Sequence, residues 1–205
     1  NKLCSFEINS QKCMFENGQD YAIVDFANKY VGGGVLNSGC VQEEILFVIC
    51  PEMIVAKLFT EKLLDTDALV ITGAEQFSVY ANYADKFKWK SNHNDLLPRD
   101  TYGRKCRQIL AMDATYFHFK AIQSQYEKSK IDRELHKAQV TFQAERFLVN
   151  RTRLPAIATG NWGCGVYHGD PYLKTLIQIV AASMTKRDIV YFAFNEEQLK
   201  KDFDQ

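Results

Sequence analysis

Tyr21-Ala22-Ile23-Val24-Asp25-Phe26-Ala27, then Gly32-Gly33-Gly34, then Gln42-Glu43-Glu44: the reading of this stretch decides the fold of the 205-residue chain. The apolar run reads as a buried strand with an aspartate near its carboxyl end. A glycine turn follows, and then a helix from Gln42 to Cys50 with Ile45, Val48 and Ile49 on one face. Consecutive glycines let backbone approach a ligand closely, because no Cβ blocks positive φ or fills the approach. The free N–H groups and positive dipole end of a helix start suit a phosphate. Two carboxylates at that start add acid–base chemistry beside an anion site.

A second unit of the same kind lies far along the chain. Pro155-Ala156-Ile157-Ala158-Thr159 reads as a strand running into the glycine-rich loop from Gly160 to Gly169. Asp170 then caps a helix with Pro171 at its first position and Leu173, Leu176, Ile177, Val180, Ala181 and Met184 on its face. Between the two units, Pro51 opens a second helix with an apolar stripe of Ile54, Val55, Leu58 and Phe59. Ala68 to Thr72 reads as a central parallel strand stopped by Gly73. The segment from Glu75 to Lys90 reads as a hairpin or extended loop, and 91–105 as a polar surface loop. Gln108 to Asp113 is another strand. Residues 131–147 read as a helix with Ile131, Leu135, Ala138 and Phe142 in line.

At the ends of the chain, Ser5-Phe6-Glu7-Ile8 reads as a short edge strand and Glu16-Asn17-Gly18-Gln19 as a turn. Ile189 to Phe194 is a last buried strand, after which Asn195 caps a terminal helix. Strands alternating with helices imply an α/β sandwich with a largely parallel sheet. Ligands in such folds sit beyond the carboxyl ends of the strands. Asp25, Asn28, Gly73, Phe194 and both glycine loops fall at such ends, so the two loops face one cleft.

Composition narrows the classes. Lysine plus arginine equals aspartate plus glutamate, 25 each, so nothing points to a broad basic face and a polyanion must be gripped locally. The six cysteines are scattered without a CxxC pair, which favours free thiols over a disulfide framework or zinc site. No apolar run has transmembrane length, and no signal peptide opens the chain. The length suits one domain over 1–205. With Asn1 in place of methionine, the chain is expected to be a fragment or processed piece.

Each candidate also has a bland reading. A glycine triplet alone is as readily a tight turn; the second strand–glycine–helix unit favours a diphosphate held on backbone N–H groups. Neither loop has Gly-Lys-Ser/Thr or dinucleotide-fingerprint spacing, which disfavours a P-loop and a Rossmann oxidoreductase. Acidic residues are favoured in any first helical turn, so Glu43-Glu44 reads as capping. Alternatively, one carboxyl shielded by loop and ligand has a raised pKa and donates a proton while the other orients sugar hydroxyls. Tyr80, Tyr83, Tyr167, Phe192 and Phe194 are core residues or stacking surfaces for a flat base. The four histidines show no metal spacing. Lys86, Lys88 and Lys90, alternating with Phe87 and Trp89, read as a solvated strand edge rather than a polyanion track.

Val24-Asp25-Phe26-Ala27-Asn28, Gly32-Gly33-Gly34 and Gln42-Glu43-Glu44 together resemble the signature of the poly(ADP-ribose) glycohydrolase family. The resemblance continues in order through Ile71-Thr72-Gly73, Glu75-Gln76-Phe77-Ser78, the run from Thr159 to Gly165 and Val190-Tyr191-Phe192, covering about residues 20 to 195. It implies a three-layer α/β/α macrodomain-like fold with a central mixed, largely parallel sheet. It also implies hydrolysis of the ribose–ribose O-glycosidic bonds of poly(ADP-ribose), mainly from the polymer end, with release of ADP-ribose.

By motif, Glu44 would be the general acid and then the base for water, while Glu43, Asp25 and Asn28 would position the scissile ribose. Gln42 would support the signature loop. Gly33, Gly34 and the loop containing Asn161, Gly163 and Gly165 would hold the diphosphate. Tyr83 matches the adenine-side tyrosine, Tyr167 stands where the family commonly has phenylalanine, and Phe194 packs nearby. No metal or cofactor is implied.

Implied partners are poly(ADP-ribose), ADP-ribose and poly(ADP-ribosyl)ated proteins, with no sequence-specific nucleic acid and no membrane. The setting is the nucleus or cytoplasm in the DNA damage response, as a monomer. The helical accessory region that animal and protist members carry is expected to be absent. Two rivals stand beside the enzyme: an ADP-ribose reader that does not cut, and a hydrolase removing single ADP-ribose units from protein.

Overall fold

Alternation along β2 (Ala22–Ala27) sets up the layers. Successive side chains of a strand point to opposite faces, and here Ile23 and Ala27 enter one apolar cluster while Ala22 and Val24 enter the other. The same split divides Ile109 and Ala111 from Leu110 and Met112, and Val190 and Phe192 from Ile189 and Tyr191. A sheet apolar on both faces needs cover on both, and the result is a three-layer α/β/α fold. A computed structural model describes residues 2–9, 14, 21–143, 154–194 and 196–203. The turn expected at Glu16 to Gln19, the continuation of the 131–147 helix beyond 143 and the cap at Asn195 lie outside the described residues.

The elements are β1 (Phe6–Asn9), β2, α1 (Gln42–Ile49), a 3-10 segment Pro51–Leu58, β3 (Leu69–Thr72), β4 (Ser78–Ala81) and β5 (Lys88–Asn92). There follow β6 (Gln108–Asp113), a 3-10 segment Phe119–Tyr126, α2 (Lys128–Phe142), β7 (Ile157–Gly160), α3 (Pro171–Thr185), β8 (Ile189–Phe192) and α4 (Glu197–Phe203). The main sheet has the order β1-β8-β7-β2-β6-β3. Every pairing in it is parallel except β3 against β6. Strands β4 and β5 form a separate antiparallel hairpin. One face of the sheet carries α1 and the segment at Pro51–Leu58; the other carries α2, α3 and α4.

Several elements differ from the sequence reading. β3 is an antiparallel edge strand rather than a central parallel one, so Gly73 leaves at the opposite edge, donating its N–H to Arg107 O at 3.0 Å. Its apolar run is explained by its faces: Leu69 and Ile71 pack on one layer and Val70 on the other. Hydropathy reports face burial, not hydrogen-bonded neighbours. On α1 the buried apolar residues are Ile45, Leu46, Phe47 and Ile49, and Val48 is exposed. The segment after Pro51 is 3-10, with three residues per turn, so the expected stripe breaks up and Met53 is its buried residue, with Val55, Leu58 and Phe59 exposed.

The 91–105 loop is pinned from inside rather than loosely exposed. Asp95 is buried, pairs with Arg107 and accepts the Gln76 and Leu97 N–H groups at 3.0 and 3.1 Å. Helix α3 keeps its cap, since Asp170 accepts the Leu173 N–H at 2.7 Å. Its buried face is rotated, however: Lys174, Thr175, Ile177, Gln178, Ala181 and Ala182 are inside, whereas Leu176, Val180 and Met184 are exposed. Polar contacts decide this. Gln178 accepts the Thr159 hydroxyl at 2.6 Å and donates to Gly160 O at 3.1 Å, locking the helix to the end of β7. Lys174 pairs with buried Glu134 of α2 and lies 4.0 Å from the centre of the Trp162 ring.

Replacing Lys174 by Met should therefore destabilise the fold by about 3 kcal/mol, because Glu134 loses a buried partner. Adding Glu134→Gln should recover part of that loss in urea denaturation; full additivity of the two losses would contradict the pairing.

Candidate functional site

The start of α1 is built from its own loop. Val41 precedes the helix without any side-chain acceptor, and Glu44 Oε2 reaches back to accept the Val41 N–H at 3.0 Å. That is half of a capping box, so the capping reading of Glu44 holds. Its other oxygen accepts the Gly34 N–H at 3.0 Å. Glu43 accepts the Gly32 N–H at 2.5 Å and the Asn28 N–H at 2.9 Å. Gln42 ties the helix start to β2, accepting from Phe26 N at 2.8 Å and donating to Val24 O at 3.0 Å.

The glycine loop thus serves the glutamates instead of an open anion site. A Cβ on Gly33, whose φ is +44°, would run into the Glu44 carboxyl, and one on Gly39 would come within 2.7 Å of Glu44 Oε1. The N–H groups of Gly32 and Gly34 are taken by the carboxyls, and that of Gly33 bonds Tyr30 O at 3.0 Å. Neither Gly33 nor Gly34 lines the cleft, which corrects their expected place on a diphosphate. On the outer side Lys57 holds the loop, donating to Val31 O and Gly33 O, both at 3.1 Å.

Burial without full compensation raises two carboxyl pKa values. Glu43 is pushed to about 7, chiefly by desolvation, with its two backbone N–H bonds pulling down, Glu44 pushing up and Lys57 pulling down. Asp25, on the α1 face of β2, is fully buried and does not line the cleft, which departs from its expected contact with a ribose. Neither of its oxygens has a hydrogen-bond partner among the described residues. Burial first, then the charges of Glu43 and Glu44, hold its pKa well above the usual range.

Opposite α1, the cleft of about 1090 Å³ is walled by the second glycine loop, the turn of the β4–β5 hairpin, and Phe192 and Phe194. Its volume is at the upper end of small-molecule sites, about 300–1,000 Å³. Glu43, Glu44, Asn28, Gln42, Tyr83, Asn161, Gly163, Gly165, Tyr167 and Phe194 all line it, as the sequence reading gathered them. Asn28 donates to the Tyr167 hydroxyl at 3.2 Å, bridging the two loops. The Tyr83 hydroxyl accepts the Gln42 N–H at 3.0 Å, and its ring lies 5.4 Å from that of Phe194. Asn161 uses its side chain internally, donating to Ala193 O and accepting from the Tyr191 hydroxyl.

The backbone N–H groups of Gly163, Gly165 and Val166 donate to no protein acceptor among the described residues. They offer an anion site of the nest kind. Gly163 is required there, since its φ is +75° and a Cβ would meet Ala114 at 2.6 Å. Asn82 and Phe194, both lining the cleft, also hold positive φ at 65° and 43°. Such strain concentrates at functional sites. No cluster of three His, Cys, Asp or Glu side chains among the described residues has the arrangement to hold a metal ion.

Residues 1–201 match the sequence profile of the family described as poly(ADP-ribose) glycohydrolase (PARG), macro domain fold. The chain belongs to the poly(ADP-ribose) glycohydrolase family. It is 41% identical over 189 residues to poly(ADP-ribose) glycohydrolase 1 of Caenorhabditis elegans, covering 86% of this chain and 23% of that protein. It is 34% identical over 259 aligned positions to poly(ADP-ribose) glycohydrolase 1 of Arabidopsis thaliana, covering 97% of this chain and 47% of that protein. The chain therefore spans less than half the length of these curated relatives. The crystal structure of poly(ADP-ribose) glycohydrolase from Thermomonospora curvata shares the fold with a TM-score of 0.58 at 17% identity, over 96% of this chain and 73% of that one.

Sequence reasoning missed Lys57 and Gly39 in this macro domain. Gly39, just ahead of the Gln42-Glu43-Glu44 motif, had a visible signal; Lys57, in a surface 3-10 segment, had none. Lys57→Met should move the Glu43 titration upward from about 7, read by the carboxyl 13C shift, because a favourable positive charge is lost. An unchanged midpoint would remove Lys57 from the site's electrostatics.

Asp25 makes a second expectation. Its raised native pKa means that folding takes up a proton once the unfolded aspartate ionises. Its stability contribution is complete below about pH 4 and declines as pH rises toward the native pKa. Asp25→Asn removes that dependence, so its stability relative to the parent should improve by up to about 1.4 kcal/mol per pH unit over that window. Parallel Tm–pH curves for the two proteins would contradict the unpaired carboxyl.

Proposed function

We propose that this chain hydrolyses the ribose–ribose O-glycosidic bonds of poly(ADP-ribose), mainly from the polymer end, and releases ADP-ribose. The observation that carries the reading is a pair of carboxyls, buried beneath a glycine loop, opening on a cleft whose opposite wall presents backbone N–H groups with no acceptor among the described residues. The relatives' names support the same substrate.

In this mechanism the diphosphate takes the N–H groups of Gly163, Gly165 and Val166, and the adenine side meets the rings of Tyr83 and Phe194. Asn28 and Glu43 hold the scissile ribose. Glu44 gives its proton to the departing ribose oxygen as the C1–O bond breaks, leaving an oxocarbenium-like centre. Water adds to that carbon and yields its proton to the Glu44 carboxylate, which restores the acid. The products are ADP-ribose and a polymer one unit shorter with a free hydroxyl. In the proton-carrying form, one Glu44 oxygen keeps an N–H bond while the other turns to the ribose oxygen. Buried N–H donors and a shielded acid supply the charge complement that the transition state needs.

The same reading makes poly(ADP-ribosyl)ated proteins the partners, the nucleus or cytoplasm the setting, the DNA damage response the context, and the working form a monomer. Polymer cleavage and ADP-ribose affinity, measured on the parent and Glu44→Gln, test the catalytic core. Glu44→Gln should lower kcat by about 10²–10⁴-fold while binding ADP-ribose as the parent does. A folded parent that binds ADP-ribose and leaves polymer intact would be a reader. One that acts only on mono-modified protein would be a different hydrolase.

A further inference from the structure

One polar atom of the cleft has no part in the mechanism above: the hydroxyl of Tyr167. In the chain Tyr167 directly follows the N–H groups of Gly163, Gly165 and Val166, yet its hydroxyl reaches the first glycine loop and meets Asn28 Nδ2 at 3.2 Å. What Asn28 does elsewhere fixes which of the two donates. Its Oδ1 accepts the Tyr30 N–H at 3.0 Å, so the amide presents its nitrogen to Tyr167 and can only donate. The phenol oxygen therefore accepts, and its own hydrogen is turned away from Asn28. Among the described residues that hydrogen has no acceptor.

The ring that carries this hydrogen is held from behind. Tyr116 meets it edge-on, with centroids 5.9 Å apart and planes at 86°. The N–H of buried Phe117 donates to Tyr167 O at 3.0 Å. Burial, and after it the charges of Glu43, Asp113 and Glu44, raise the phenol pKa, which keeps the hydrogen on the oxygen. The neighbours show what the hydrogen faces. Asn28 also donates its backbone N–H to Glu43 Oε2 at 2.9 Å, so the Tyr167 hydroxyl, Asn28 and Glu43 form one bonded row, and all three residues line the cleft. Asn28 and Glu43 are the residues that hold the ribose in the reading above. A sugar hydroxyl both donates and accepts, and a carboxylate such as Glu43 answers only the first half of that need.

We propose that the Tyr167 hydroxyl donates to a hydroxyl oxygen of the ribose beyond the diphosphate, and that this contact sets a preference of the cleft for ADP-ribose over ADP. The proposal rests on the reading of the cleft given above and adds a specificity-determining group to it. Phenylalanine at 167 would supply the ring without the hydrogen. ADP uses the same N–H groups of Gly163, Gly165 and Val166 but has no ribose there to accept from Tyr167. The contact is made to a sugar hydroxyl and not to the breaking C1–O bond. It therefore strengthens binding of ground state and transition state alike, without lowering the barrier between them.

The test compares the full chain with its Tyr167→Phe variant by calorimetric titration of ADP-ribose and of ADP, and by polymer cleavage. Tyr167→Phe should weaken ADP-ribose binding about fivefold, the loss of one neutral hydrogen bond. ADP affinity should stay unchanged, which also shows that the variant is folded. In cleavage, KM should rise by a similar factor at nearly constant kcat. In an Asn28→Ala background, Tyr167→Phe should still cost ADP-ribose affinity, because the contact is its own. Unchanged ADP-ribose affinity would overturn the proposal, and equal losses for ADP-ribose and ADP would overturn it by moving the hydroxyl to the diphosphate. A loss that vanishes in the Asn28→Ala background would overturn it too, leaving Tyr167 as a brace for Asn28. Absence of ADP-ribose binding by the parent would overturn the cleft reading and the proposal together. Failure of the catalytic reading alone shows separately, as polymer left intact by a parent that binds ADP-ribose through Tyr167.

Discussion

Two carboxyls lie almost entirely inside this molecule, and their need for donors shapes everything around them. Glu43 and Glu44 are 2% and 7% exposed, and a buried carboxylate costs several kcal/mol unless its oxygens are hydrogen-bonded. Four backbone N–H groups answer that need, from Asn28, Gly32, Gly34 and Val41. To deliver them, the chain after β2 must curl around the start of α1, close enough that a side chain at Gly33 or Gly39 would collide with Glu44. Lys57 fastens the curl from outside through Val31 O and Gly33 O. Beneath it the Asp25 oxygens have no hydrogen-bond partner among the described residues, and burial pushes the pKa of that carboxyl well above its usual range.

The two glycine loops consequently divide the work. The first spends the N–H groups of Gly32 and Gly34 on its own carboxyls, and the bond from Gly32 counters the push of burial that brings the Glu43 pKa to about 7. The second leaves N–H groups without an acceptor among the described residues along the cleft and so suits an anion. They meet because β2, β7 and β8 are parallel neighbours whose carboxyl ends share one edge of the sheet. The Asn28–Tyr167 bond then closes the distance between them. The foundation of the second loop is polar as well: Lys174, paired to Glu134, sits under Trp162, and Gln178 grips Thr159 and Gly160.

Helix α3 shows why hydrophobic pattern alone misplaced some faces. Its Leu176, Val180 and Met184 are the more apolar choice for a core, yet they are exposed while Lys174, Thr175 and Gln178 are inside. Lys174 meets Glu134 of α2, Gln178 meets Thr159 and Gly160 of β7, and Thr175 donates to Pro171 O of its own helix; satisfied buried polar contacts outweigh a few methylenes left in water. The segment after Pro51 fails for a different reason, because its 3-10 winding changes which residues share a face. For β3, the pattern reported burial correctly and neighbours wrongly, since an edge strand covered on both faces reads like a central one.

By itself the sequence determined the alternation of strands and helices, the parallel core of the sheet, the two strand–glycine–helix units and ten of the cleft residues. It could do so because glycine, proline and capping residues act locally, and because the family's motifs run in order along the chain. Only the tertiary structure decided where the N–H groups of each loop point, and that Asp25 lies behind the glutamates without reaching the cleft. It alone brought Lys57 to the signature loop and the Tyr167 hydroxyl to Asn28. Those outcomes depend on contacts between residues far apart in sequence, where burial and hydrogen bonding settle positions that local preference leaves open.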